Sequence, residues 1–257
     1  MGWYKENKDG LIAYRCQELN NPSVIQAFST RSCGNMGLHT GDFWEQVVAN
    51  RRLFLDLLGL DLKRLIAAQQ IHGTMVERVD EKMAGAGALV FEEALSGTDA
   101  LITRESGVIL SIYTADCLPI FIYDSGTPAV GIVHAGWRGT IERIAEVTID
   151  KMIRNFSTNP AACQVAIGPA ICKRCFRVAE EVARKFAAID PETVEETAGG
   201  FEVDLQSFNL YLLQGMGVPK EQILVSDACT SCGREEFFSY RAECGSTGRM
   251  MGIIALL

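Results

Sequence analysis

VILSIYTADCLPIFIYDSGTPAVGIVHAGWRG, spanning Val108–Gly139, decides the fold reading. Its three apolar runs, Val108–Thr114, Leu118–Tyr123 and Ala129–His134, are short and rich in Val, Ile and Tyr, which predicts three successive strands. Asp116 and Cys117 interrupt the first two runs with an acid and a thiol. After the third run, Gly136 and Gly139 form a turn into a helix predicted to start near Thr140, with Ile141, Ile144, Ala145, Thr148 and Met152 on its buried face. Working outward, the same composition marks strands at Val24–Ser29, Leu65–Ile71, Val76–Val79, Ala100–Thr103, Gln164–Ile167, Gln222–Val225 and Met250–Leu256. Asp42 and Glu45 resemble a capping pair, and Val47, Val48, Arg51, Leu55 and Leu58 follow at helical spacing. Further helices are expected over Glu180–Ala188 and Gln206–Gly215. Strands and helices mix without the regular alternation of a doubly wound sheet, so the class is α+β with mixed sheets.

The chain of 257 residues is long enough for one large domain or two small ones. No repeat, linker or low-complexity block divides it. Met83–Ala88 reads as a flexible loop and residues 1–257 as a single domain. The net charge of −8, with no basic run, argues against nucleic acid or an anionic membrane as partner. Local arginines can still bind a small anion. The opening residues lack an apolar signal segment, and Glu6 spoils a myristoylation match. The longest apolar stretches are short or broken by Asp116, so no transmembrane span is expected. Nine cysteines, an odd number without an export signal, favour reduced thiols in a cytoplasmic protein.

Of the three histidines in the chain, His72 follows a strand and His134 ends one, and Cys117 lies between strands. Strand ends beside loops are where sites are usually built. Each residue alone also reads as an ordinary buried side chain. Together, two imidazoles and a thiolate make a three-ligand set for catalytic zinc with an open fourth position. The same set suits a single copper. A multicopper cluster needs more imidazoles than three histidines supply. A metal-free alternative makes Cys117 a nucleophile with His134 or His72 as its base. Arg138 and the glycine turn before Thr140 are a candidate anion site. Asp99 and Asp116 are candidate proton donors, and each also reads as a turn cap. The pairs Cys172-x-x-Cys175 and Cys229-x-x-Cys232 are further apart than the usual zinc-ribbon spacing of about 15–20 residues, and they read mainly as free thiols.

Gln70-x-His72-Gly73, Thr98-Asp99-Ala100, Thr114-Ala115-Asp116-Cys117-x-Pro119, His134-Ala135-Gly136-Trp137-Arg138-Gly139, Phe238-Ser239-Tyr240-Arg241 and Thr247-Gly248-Arg249 together resemble the YfiH family. That family is also called the laccase-domain or multicopper polyphenol oxidoreductase family, and some members are called peptidoglycan editing factor. The resemblance runs from Ser29 to Leu257. It implies two packed mixed β-sheets with helices on the outer faces. It implies metal ligands at His72, Cys117 and His134, and an N-terminal motif at Arg31 and Asn35 that, with Arg138, would bind substrate. The implied activity is zinc-dependent purine nucleoside phosphorolysis of adenosine, inosine, guanosine and methylthioadenosine, with adenosine deamination beside it. Purine nucleosides and phosphate would be the partners, and a homodimer is compatible. The alternatives are a Cys–His hydrolase or amidase in peptidoglycan editing and a copper-binding polyphenol oxidoreductase. Cys229 fits a family position, whereas Cys172, Cys175 and Cys232 look particular to this chain.

Overall fold

The computed structural model describes residues 2–257; Met1, where a leader or lipidation signal would begin, lies outside the described residues. Two six-stranded sheets dominate. The first runs, in spatial order, Trp3–Lys8, Leu11–Cys16, Val24–Ser29, Met250–Leu256, Ile109–Thr114 and Leu65–Ile66. The second runs Ile223–Val225, Cys163–Ile167, Leu118–Asp124, Ala129–Ala135, Ala100–Thr103 and Val76–Arg78. Both are mixed. Their central pairs are antiparallel, and parallel pairs close one edge of the first sheet and both edges of the second.

The sheets share a core in which Phe28, Leu110 and Ile254 meet Phe121, Val130 and Ile132. The first sheet's other face carries α1 (Trp44–Leu57) through Ile25, Ile253, Val48, Phe54 and Leu55. On the second sheet's other face lie α2 (Trp137–Ile141), α3 (Ile144–Phe156), α4 (Glu180–Ala187) and α5 (Leu205–Gly215). Ile120, Ile122 and Val133 pack there against Ile144, Ile149, Met152, Phe208 and Leu212. Central strands therefore bury both faces. That is why Leu118–Asp124 is apolar nearly throughout instead of alternating. The α+β class, with two packed mixed sheets and helices outside, is the observed one.

Some expected elements are placed differently. Leu65–Ile71 is not one strand: it leaves the first sheet after Ile66 and pairs Ala68–Gln69 with Leu95–Ser96. The helix expected from Thr140 begins at Trp137 and breaks at Arg143, whose φ is 65°. Its second part buries Ile144, Ala145, Thr148 and Met152, as the spacing implied. Asp42 does not cap α1; its carboxylate accepts from Asn35 Nδ2 at 2.7 Å, and Phe43 is the N-cap residue. Met83–Ala88 is tied down rather than flexible, because the Ala86 carbonyl accepts from the Ala67 N–H and the buried Arg51 donates to Gly87 and Ala88. The N-terminal hairpin Trp3–Cys16 escaped notice because its first strand is half charged and largely exposed.

Candidate metal centre and its cavity

The chain crosses from the first sheet to the second between Thr114 and Leu118, and Cys117 sits in that crossover. The crossover is sharp, with Asp116 in the left-handed region at φ 86°, a conformation a non-glycine residue holds only when its surroundings over-determine it. They do: Thr230 Oγ1, Ser239 Oγ and the Arg241 N–H donate to its carboxylate at 2.6, 3.0 and 2.7 Å. Its carbonyl accepts from the Ile171 N–H.

His134 lies near the end of Ala129–Ala135, where Pro119 of the neighbouring strand Leu118–Asp124 is its cross-strand partner. His72 arrives from a separate loop. Gln70 holds that loop to the first sheet by using its side-chain amide as a strand would, donating to the Tyr113 carbonyl at 2.8 Å and accepting the Tyr113 N–H at 2.7 Å. His72 then turns with φ 63°. Asp99 stabilises the turn by accepting the backbone N–H groups of Ile71, His72 and Gly73. The same carboxylate lies 2.8 Å from His134 Nδ1. This leaves Nε2 as the ring nitrogen of His134 free for other partners.

His72, Cys117 and His134 are thereby brought together, with ligand atoms within 4.8 Å of one another and imidazole centroids 4.8 Å apart. Gly136 permits the approach: a Cβ there would lie 2.7 Å from His72 Cδ2 and 3.2 Å from Cys117 Sγ. Gly139 lets α2 sit against the loop, since its Cβ would come within 2.8 Å of the Gly73 carbonyl oxygen.

The electrostatics follow the packing. Burial alone would push the Cys117 thiol up, but the His134 charge and hydrogen bonds from both histidines bring it down to about 6. Burial would lower His134, yet the Cys117 thiolate and the Asp99 carboxylate raise it to about 9. Burial also works against the Asp99 carboxylate, and its bonds to His134 and the backbone outweigh that and hold it below its ordinary value. A thiolate and two imidazoles converging this closely fit a borderline-soft metal such as zinc or copper.

The three side chains open on a cavity of about 640 Å³, in the range of small-molecule sites. Phe91, Tyr113, Trp137, Phe176 and Tyr240 contribute aromatic wall, and Arg138, Arg177, Arg241 and Arg249 contribute charge, that of Arg177 being paired with Glu202. Arg138 stacks on Trp137 at 4.3 Å, Arg241 donates its guanidinium to the Cys175 and Arg177 carbonyls, and neither of these nor Arg249 has a carboxylate partner among the described residues. The helix that starts at Trp137 has only five residues, so any anion contact here falls to these arginines rather than to a helix dipole.

Arg31 and Asn35 do not line the cavity. Arg31 donates to the carbonyls of Arg234 and Phe237, pairs with Glu243 and stacks on Phe238. Asn35 acts one step removed: its Oδ1 accepts the Arg249 N–H at 2.8 Å and so orients a cavity arginine. Asp99 and Asp116 are tied into the scaffold by the bonds above, and Asp116 also lines the cavity. The sequence reading missed Arg249 and His39 as cavity residues. His39, packed beside Phe91, is held below its ordinary pKa by burial and by the Arg249 and Arg51 charges. The cluster Thr247-Gly248-Arg249 was the available signal for Arg249.

The family described as multi-copper polyphenol oxidoreductase laccase matches residues 26–257. Purine nucleoside phosphorylase YlmD of Bacillus subtilis (strain 168) is 34% identical over 250 residues, 92% of this chain and 90% of that protein. Adenosine deaminase RL5, from an unknown prokaryotic organism, is 36% identical over 240 residues, covering 88% and 91%. The crystal structure of YlmD from Geobacillus stearothermophilus superposes with a TM-score of 0.92 at 34% identity, covering 100% of this chain and 99% of that one.

Proposed function

Because the chain belongs to the laccase-domain family of YfiH and YlmD, a family of enzymes, we propose that it is a zinc-dependent purine nucleoside phosphorylase with adenosine deaminase activity. Its substrates would be adenosine, inosine, guanosine or methylthioadenosine, with phosphate. One observation carries the reading: the His72–Cys117–His134 cluster opens on the same cavity as an aromatic wall and the guanidinium groups of Arg138 and Arg249, which have no carboxylate partners among the described residues. The aromatic rings suit a purine, and Arg138 and Arg249 suit phosphate.

His72, Cys117 and His134 would hold the metal, leaving a fourth position toward the cavity. When bound, zinc would polarise an oxygen ligand and lower the proton affinity of water, the chemistry that deamination at purine C6 needs. In phosphorolysis a phosphate oxygen bonds to C1′ while the C1′–N9 pair leaves on the base. Arg138 and Arg249 would hold that phosphate and lessen its repulsion of the departing electrons. Asp99 keeps His134 in one tautomer, a common device behind metal-bound histidines. Copper at the same three residues remains the alternative metal, as one ion only, since three histidines are too few for a trinuclear cluster. The reading also takes residues 1–257 as one folding unit in the cytoplasm. No helix among the described residues is long and apolar enough to cross a membrane.

A second reading is favoured by the depressed thiol of Cys117 beside the Asp99-bound His134. That trio is also a nucleophile, base and orienting acid for a metal-free hydrolase or amidase. Chromatography of adenosine and inosine, incubated with and without phosphate, separates the two. Phosphate-dependent free base, abolished by chelation and restored by zinc, supports the phosphorylase. Chelator-insensitive amide hydrolysis, with no free base and no inosine from adenosine, would move the assignment to the hydrolase.

A further inference from the structure

Outside the cavity lies a second cluster of metal-ligating side chains. An isolated bridge joins Ala170 to Cys229, with the Ala170 N–H donating to Ala228 and the Thr230 N–H donating to Ala170. Each strand end then turns through a Cys-x-x-Cys segment. The first is a 3₁₀ turn over Lys173–Cys175, and the second is closed by the Gly233 N–H bonding to the Cys229 carbonyl. The two turns face each other, so pairs remote in sequence become neighbours, and all four Sγ atoms lie within 4.8 Å of one another. Sequence spacing argued against this pairing, but the ribbon rule assumes a local hairpin and here the bridge does that work.

We propose that Cys172, Cys175, Cys229 and Cys232 form a tetrathiolate zinc site, distinct from His72, Cys117 and His134, that staples the loop walling the cavity through Ile171 and Phe176 to the turn that follows Cys229. Tetrahedral zinc with sulfur at about 2.3 Å spaces its ligands about 3.8 Å apart. Cys175 and Cys232 are already 3.4 Å apart, beyond the roughly 2.05 Å of a disulfide bond. Cys229 Sγ accepts the backbone N–H groups of Cys172 and Cys232 at 3.3 and 3.4 Å. Such N–H groups stabilise a thiolate before any metal arrives. Loading exchanges four thiol protons for one Zn²⁺, with no change of oxidation state. Four protein ligands leave no open position, so the site is structural.

The staple bears on the cavity through named contacts. Next to Cys172, Ile171 donates its N–H to the Asp116 carbonyl, and next to Cys229, Thr230 donates to the Asp116 carboxylate. Arg241 ties the Cys175 and Arg177 carbonyls to the same region. Zinc here would therefore fix the crossover that carries Cys117.

The test is zinc stoichiometry by elemental analysis of the purified wild-type chain, Cys117→Ala and Cys232→Ala. Cys232 is exposed, so its truncation leaves the core packing intact. The decisive equivalent is the one that survives in Cys117→Ala and is lost in Cys232→Ala. Its loss should bring a lower melting temperature. Cobalt-substituted Cys117→Ala should show the intense visible bands of a tetrahedral tetrathiolate. Should the first site bind nothing, this equivalent would still be present, so the two assignments fail separately. A Cys117→Ala protein without metal, whose Cys172, Cys175, Cys229 and Cys232 alkylate freely in the folded state, would overturn the proposal. So would a disulfide among the four, mapped by mass spectrometry of the native protein.

Discussion

The Asp99 carboxylate reaches His134 Nδ1 at 2.8 Å and with its remaining capacity holds the backbone of the loop that carries His72. One buried acid thus orients one imidazole through its ring and the other through its main chain. Asn at this position has a single acceptor oxygen and must turn its NH₂ toward one set of donors. Asp99→Asn is therefore expected to weaken metal binding by roughly 10–100-fold, read by competition against a chromophoric chelator. Wild-type affinity in that variant would remove Asp99 from the site.

Gly136 is needed for space rather than for backbone freedom, because its φ of −72° is open to any residue. Gly136→Ala puts a methyl group 2.7 Å from the His72 ring, and the loop must move. A displacement of about 1 Å at a reacting centre costs on the order of 100-fold in rate, so turnover should fall by about that factor and metal content below one equivalent at this site. Gly139→Ala meets the Gly73 carbonyl instead, at 2.8 Å. Overpacking there should cost roughly 1–3 kcal/mol, measured as a lowered urea midpoint. Normal metal content and turnover in Gly136→Ala would show that the His72 loop is not held by this contact.

These two glycines also mark what the sequence made legible. His72, Cys117 and His134 stood out together, as two imidazoles and a thiol at strand ends that make a three-ligand set, although each alone also reads as an ordinary buried side chain. The strands of Val108–Gly139 were readable because apolar runs buried on both faces leave a strong signal. The missed pieces depend on contacts distant in sequence. Arg249 enters the cavity because Asn35 holds its backbone, and the four cysteines of the second cluster meet only through the bridge between Ala170 and Cys229. Asp42 next to α1 looked like a cap and is instead used by Asn35. A local pattern cannot tell which of two acceptable partners a carboxylate takes.

Arg51, on the buried face of α1, is 2% exposed. It donates to the carbonyls of Met36, Gly87 and Ala88 at 2.8, 2.8 and 3.0 Å and lies over the Tyr113 ring at 4.4 Å. It has no carboxylate partner among the described residues, so carbonyl dipoles and the ring carry its charge. Arg51→Met fills much of the volume but leaves three acceptors unpaired, which should destabilise the chain by roughly 3–5 kcal/mol. Equilibrium unfolding in urea reads the loss, and limited proteolysis should then cut first within Met83–Ala88. A variant as stable as the parent would mean that water replaces the guanidinium at these carbonyls.

Cys16 and Cys163 predict an alkaline limit to stability. Both are fully buried. Burial, with Glu18 beside one and Asp124 beside the other, pushes each thiol from an ordinary 9.0 up to about 12. Below pH 9 folded and unfolded chains both keep these protons, and the two thiols contribute no pH dependence. Between about 9 and about 12 the unfolded chain gives the protons up and the folded chain does not. Stability is therefore fully present below the unfolded value and lost as pH rises toward the folded one. Lysines and tyrosines titrate in the same window, so the informative quantity is a difference: as pH rises past the ordinary thiol value of 9.0, the melting temperature of the parent should fall more steeply than that of a Cys16→Ala/Cys163→Ala chain. Parallel slopes would mean that these thiols ionise as easily in the folded protein as in the unfolded one.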